Sequence, residues 1–188
     1  MIGEDIDLFV DGQTPKKSES DKFHKAGRRI FSYNQPQVGV ENSLIYRKYY
    51  GLRLWQQEYD GAMDYAYQDG FGSIWNDFDH PKFRDHCFAY PTVDGVIDTI
   101  AWEGFREGVD DVRYITTLEN KIKRIGYRQD SQSTEALKNA RAFIESLKNY
   151  SGDDLDMTRP KPASLAVDGL SRKRVLLPSH CRVVVHCG

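Results

Sequence analysis

The chain has 188 residues, enough for one domain with a substantial core and short of the roughly 250 residues that a complete (β/α)8 barrel usually takes. Lys and Arg total 26 against 28 Asp and Glu, for a net charge of -2, so there is no electrostatic reason to expect nucleic acid or an anionic membrane as partner. Cys87, Cys181 and Cys187 lack metal-ligand or paired spacing, no apolar run approaches the roughly 18 residues of a membrane span, and Met1 to Asp5 has no leader character. The expectation is a soluble chain with no export signal, no metal and no cofactor.

In chain order, Ile6 to Val10 reads as a strand closed by the Asp11-Gly12 turn. A helix from Pro15 through Ser18 to Lys25 follows, with Phe23 as its buried candidate and Gly27 where a C-terminal glycine belongs. Arg29 to Tyr33 is a second strand, ended by Asn34-Gln35-Pro36. Asn42 or Ser43 caps a helix expected to continue to Gln57, with Leu44, Tyr46, Tyr50, Leu54 and Trp55 near the helical period.

Ala62 to Tyr67 is a third strand, and Gln68 to Pro91 reads as a long loop rich in Gly, Asp and aromatics. Loops of that length inside a domain are often functional. Val96 to Trp102 is read as a fourth strand, ahead of a helix from Phe105 to Ile125 whose acidic start and basic end suit the helix dipole. Another helix spans Thr134 to Leu147, and Asp153 to Arg159 opens a last one that Pro160 and Pro162 stop. Strands alternating with helices imply a parallel α/β repeat, and four such units leave sheet edges for another segment or another copy of the chain to cover. Residues 1–150 form the folded portion of this reading; residues 151–188 are an irregular tail.

The stretch from Tyr90 to Tyr114, YPTVDGVIDTIAWEGFREGVDDVRY, resembles the closing strand and helix of the glycoside hydrolase family 123 catalytic domain. Residues 49–67, YYGLRLWQQEYDGAMDYAY, are similar to the family's helix with "YGL-LW" followed by "DG" and a strand with "DYAY". WNDFD at residues 75–79 also fits, and these segments lie in family-like order across most of residues 5–150. The resemblance implies the last four β/α units of a (β/α)8 TIM barrel. It further implies a retaining β-N-acetylgalactosaminidase type of chemistry in which the substrate's acetamido oxygen is the nucleophile. The family's catalytic residues are an adjacent Asp-Glu pair on an earlier strand, and no Asp-Glu dipeptide occurs in this sequence. The expectation is a fragment inactive alone, its partner an amino-sugar glycan and, for completion, the missing amino-terminal half of the barrel.

Strand ends are where a barrel gathers its site. Tyr33 and Asn34 end the second strand and could hydrogen-bond a sugar hydroxyl or acetamido group, or simply close the core and make the turn. Asp64, inside Ala62-Met63-Asp64-Tyr65-Ala66-Tyr67, must be hydrogen-bonded or face the barrel mouth. By strand alternation it cannot share a face with Tyr65 and Tyr67. Trp75 is a candidate stacking platform, with Asn76 and Asp77 able to hold hydroxyls or to anchor the loop. Trp102-Glu103 reads as the end of the last strand, suited to binding sugar, with Arg106 as the rival partner of Glu103. His80 and His86, six residues apart in the sequence, are poor metal ligands without a third. Two further readings stay open: a carbohydrate-binding module using Trp75, Trp102 and Asp64, or a gene fragment without its own function.

Overall fold

The computed structural model describes residues 6–125 and 131–159, and its class is mixed α/β. The chain divides into two units, the first running to Val109 and the second beginning at Asp110.

The first unit is built on a three-stranded parallel sheet in the order β1-β2-β3, with β1 at Leu8–Asp11, β2 at Arg29–Ser32 and β3 at Gly61–Ala62. Leu8 pairs with Arg29 and Asp11 with Ser32, while Phe31 pairs with Gly61 and Ser32 with Ala62. Helix α1, Lys17–Lys25, carries the chain from β1 to β2. Its end is set by Gly27 at φ 70°, with Arg28 N donating to Phe23 O at 2.9 Å and Gly27 N to His24 O at 2.9 Å. That is a Schellman motif, for which glycine has no Cβ penalty. The Phe9 ring stacks on Phe23 at 4.5 Å and ties β1 to α1.

Between β2 and β3, α2 spans Ser43–Tyr50 and α3 spans Leu52–Gln56. Asn42 caps α2 by accepting from Ile45 N at 3.3 Å. The single helix expected up to Gln57 is therefore broken, at Gly51. A Cβ on Gly51 would stand 2.7 Å from the carbonyl oxygens of both Arg47 and Gly108, and one on Gly104 would stand 2.1 Å from Ser43 O. Helix α4, Ile100–Ile125, thus meets the α2 backbone through Gly104 and Gly108, four residues apart on one face. Around this contact Ile30, Tyr46, Tyr50, Leu54, Phe88 and Phe105 form the buried core.

The third strand is shorter than expected, because residues 63–67 leave the ladder and Ala66 takes φ 64°. Within the long loop, β4 (Gln68–Asp69) pairs antiparallel with β5 (His86–Cys87). The largest departure from expectation comes next. Val96–Asp98 is not a fourth parallel strand: as β7 it pairs antiparallel with β6, Ala89–Pro91, in a hairpin closed by Thr92 N donating to Gly95 O at 2.8 Å. Thr99 then caps α4, its hydroxyl oxygen accepting from Trp102 N at 3.4 Å, so Trp102 and Glu103 lie in the first helical turn and do not end a strand.

In the second unit the rest of α4 is followed by α5, Ser131–Lys148, and by a 3-10 turn at Leu155–Thr158 in place of a last helix start. Its buried apolar residues include Ile115, Leu118, Ala140, Ile144, Leu147 and Leu155. Buried Asp111 accepts from Arg159 Nε at 2.7 Å, and the Arg159 guanidinium lies 5.6 Å from the Tyr114 ring centre. Residues 160–188 of the expected tail lie outside the described residues. No described helix is long and apolar enough to cross a membrane.

Candidate functional site: a carboxyl and tyrosine cluster at the strand ends

The carboxy ends of parallel strands collect backbone groups and loops at one edge of the sheet, and ligands of α/β folds bind there. In this chain β2 runs out into Tyr33-Asn34-Gln35 and β3 into Met63-Asp64-Tyr65. The two exits meet: the Tyr33 and Tyr65 rings are edge to face at 5.9 Å. Asp64 is only 2% exposed. It is hydrogen-bonded to the Tyr50 hydroxyl and to Tyr65 N, and its Oδ1 is buried without a partner. The Tyr50 hydroxyl also reaches Asn34 O at 3.4 Å.

Burial dominates the electrostatics of this carboxyl. Taking a carboxylate out of water favours its neutral form, and the two hydrogen bonds offset that only in part, so the Asp64 pKa is pushed up to about 7. Tyr33, Tyr46 and Tyr50 are also held up, mainly by burial; the Asp64 carboxyl comes next for Tyr46 and Tyr50, and Tyr65 comes before it for Tyr33, so all three phenols stay neutral. The result is a carboxyl that can give or take a proton near neutral pH, surrounded by hydroxyls that can donate and accept.

A second layer comes from the chain beyond Asn34 and from β5. Gln35 Nε2 donates to the Tyr46 hydroxyl at 2.7 Å. Gln37, held at φ 51°, brings its amide nitrogen to His86 Nε2 at 2.9 Å. With Nε2 accepting, the ring proton sits on Nδ1, which is buried without a partner among the described residues. Burial lowers the His86 pKa and keeps the ring neutral. The Tyr65 ring stands edge-on to His86 at 5.4 Å.

Of the residues singled out from sequence, Tyr33, Asp64 and Tyr65 come together here, whereas Asn34 contributes only its carbonyl oxygen and turns its side-chain amide to Gly12 O at 3.0 Å. Tyr65 is exposed while Asp64 is buried, and no strand alternation relates them because β3 has ended at Ala62. Tyr67 turns inward against the core. Asp77, buried, accepts from Arg84 Nε at 2.8 Å and also from Arg84 Nη2 and Asp85 N, while Arg84 reaches on to Glu41 at 2.9 Å. That network fastens the loop onto the segment preceding α2. Asn76 is exposed and accepts from Phe78 N at 3.3 Å, a local turn. Trp75 stacks on Tyr90 at 4.9 Å and stays 54% exposed. The Trp102 ring stacks on Phe105 at 5.7 Å and meets Phe88 at 5.6 Å, while Glu103 binds Arg106 Nε at 3.0 Å.

Sequence reasoning passes over Tyr50, Gln37 and His86. Tyr50 reads as an ordinary apolar position of a helix. The run Asn34-Gln35-Pro36-Gln37 reads only as a strand stop, although three side-chain amides in four residues beside a strand end are a legible sign of a polar site. His86 reads as a metal ligand lacking companions, and among the described residues no group of His, Cys, Asp and Glu could hold an ion. No protein-family model matches the chain, and no curated protein matches it.

Proposed function

We propose that this chain is the substrate-binding portion of a glycoside hydrolase domain of the (β/α)8 type, its last β/α units, and that the strand-end cluster binds an N-acetylhexosamine. The observation carrying this reading is Asp64: a buried carboxyl with a free Oδ1, set among Tyr33, Tyr50 and Tyr65 where two parallel strands end. A neutral or half-ionised carboxyl beside phenols suits hydroxyls and an acetamido group, which offer both donors and acceptors and no charge. Two further features support the architecture. The sheet order β1-β2-β3 follows the chain, as in a barrel. Leu8, Phe9 and Val10 of edge strand β1 are each more than a third exposed, although strands of a parallel sheet are normally covered on both faces. A neighbouring strand and helix of the same domain, or self-association at this edge, would cover them.

With no Asp-Glu dipeptide in the sequence, the reading assigns this chain binding and not bond cleavage. Calorimetric titration with N-acetylgalactosamine tests it. Saturable, weak binding is expected, reduced at least tenfold by Tyr65→Ala, whose side chain is exposed and whose loss leaves the core intact. Absence of any binding heat at high millimolar sugar overturns the reading. Release of chromophore from a nitrophenyl N-acetyl-β-galactosaminide by the chain alone overturns its non-catalytic part.

A further inference from the structure

The loop from Gln68 to Pro91 carries rings that neither the core nor the strand-end cluster uses. Phe71 lies 5.4 Å from His86, centre to centre, on a ring that Tyr65 also touches at 5.4 Å. Phe71 in turn meets Phe83 at 5.0 Å, and Phe83 is stacked on His80 at 5.3 Å. The rings therefore form one continuous series that starts at Tyr33 above β2 and runs out along the loop. Its outward members are exposed, Tyr65 by 45%, Phe71 by 37% and Phe83 by 45%. Single exposed apolar side chains are ordinary, whereas a contiguous exposed group next to a polar site marks a binding surface.

The series is also held in place. Phe71 N donates to Asp85 Oδ1 at 2.9 Å and Ser73 N to Asp79 Oδ2 at 2.7 Å, while Arg84 is gripped by Asp77. His80 Nδ1 accepts from Lys82 N at 3.2 Å and Phe83 N at 3.0 Å, which puts the ring proton on Nε2 and fixes a donor beside the Phe83 face. Loop ordering of this kind is settled before a ligand arrives, so binding need not supply it. Phe71 and Phe83, 5.0 Å apart and tilted by 33°, with the His80 ring nearly parallel to Phe83 and its donor at the edge, present faces that suit pyranose units, and buried His86 joins them to the edge of the Tyr65 ring. Such units offer an apolar face of C–H bonds and a rim of hydroxyls.

We propose that the Tyr65, Phe71 and Phe83 series is a track for further sugar units, so that the ligand is an oligosaccharide and not a lone monosaccharide; this rests on the strand-end cluster taking the terminal amino sugar. The full chain is titrated by calorimetry with N-acetylgalactosamine and with a β-linked trisaccharide of N-acetylhexosamine units, as wild type and as Phe83→Ala, with sedimentation run in parallel. The trisaccharide binds at least tenfold more tightly than the monosaccharide. Phe83→Ala removes that advantage, leaves the monosaccharide affinity unchanged, and keeps the wild-type circular dichroism. Equal affinity of the wild type for the two sugars overturns the track while leaving the proposed function standing. So does a Phe83→Ala loss shared equally by both. Binding of neither sugar overturns both. A wild-type dimer that Phe83→Ala makes monomeric overturns the track in favour of a self-association surface.

Discussion

Two buried aspartates in the first unit face opposite electrostatic settings. Asp77 is 5% exposed and Asp64 is 2% exposed. Asp77 has the Arg84 guanidinium and Asp85 N on it, so its charge is matched where it stands. Asp64 has a phenol and one N–H, and no cation among the described residues, so burial pushes its pKa up to about 7. A matched buried charge is a fastening, and an unmatched one is a group kept ready for something else. The loop region is thus anchored at Asp77, and the strand-end region is poised at Asp64.

The largest expected effect removes the frame that both regions share. Gly104→Ala drives a methyl to 2.1 Å from Ser43 O and 2.8 Å from Ser43 Cα, backbone atoms that cannot swing aside. Loss of about 4 kcal/mol, or of folding altogether, is expected. Urea unfolding followed by circular dichroism measures it, and both regions should lose hydrogen-exchange protection together.

The next effect shows Asp64 through pH. The ordinary Asp64 pKa is 3.8 and the folded one about 7, so between those values the folded chain holds a proton that the unfolded chain has released. Stability on this account is full below the unfolded pKa and declines as pH rises through the window, by ~1.4 kcal/mol per pH unit at most. Asp64→Asn keeps the shape and cannot ionise. It should match the wild type near pH 4 and exceed it by ~4 kcal/mol at pH 8, read as the variant-minus-wild-type difference in urea midpoint. His86 works the other way, since burial lowers its pKa and stability falls as pH drops below its ordinary 6.5. Taking the difference between variants cancels that contribution. Asp77→Ala, in contrast, should cost about 2 kcal/mol through an abandoned, partly solvated guanidinium, and should loosen the loop.

Much of the scaffold is legible in the sequence. The strand from Arg29, the glycine after α1, the Asn42 cap and the two long helices each carry a local signal, and local signals survive tertiary packing. What escaped depends on distant partners. Gly51 interrupts a good helical pattern because the Gly108 backbone packs against it, fifty-seven positions away by numbering. The antiparallel hairpin did leave a local mark, Asp94-Gly95 between Tyr90-Pro91 and Val96-Ile97. A reading committed to parallel repeats passes over it. The site divides likewise: Asp64 stands out as a carboxylate among apolar neighbours, whereas Gln37 and His86 meet across 49 positions through a backbone turn that no residue type announces.

The smallest expected effect tests whether burial, and not the number of ion pairs, distinguishes the regions. Arg84 binds two carboxylates, Asp77 with a side chain 4% exposed and Glu41 with one 54% exposed. The Glu41 pair has reasonable geometry, with contacts of 2.9 and 3.0 Å to the same guanidinium nitrogen. Water screens it, however, and exposed pairs typically contribute 0–1 kcal/mol. Glu41→Gln should therefore cost roughly 0.5 kcal/mol or less, a difference that moderate salt erases, while the cost of Asp77→Ala persists in salt. If the two substitutions proved equally damaging and equally salt-sensitive, the loop would be held by surface charge, and Asp77 would lose its standing as the buried counterpart of Asp64.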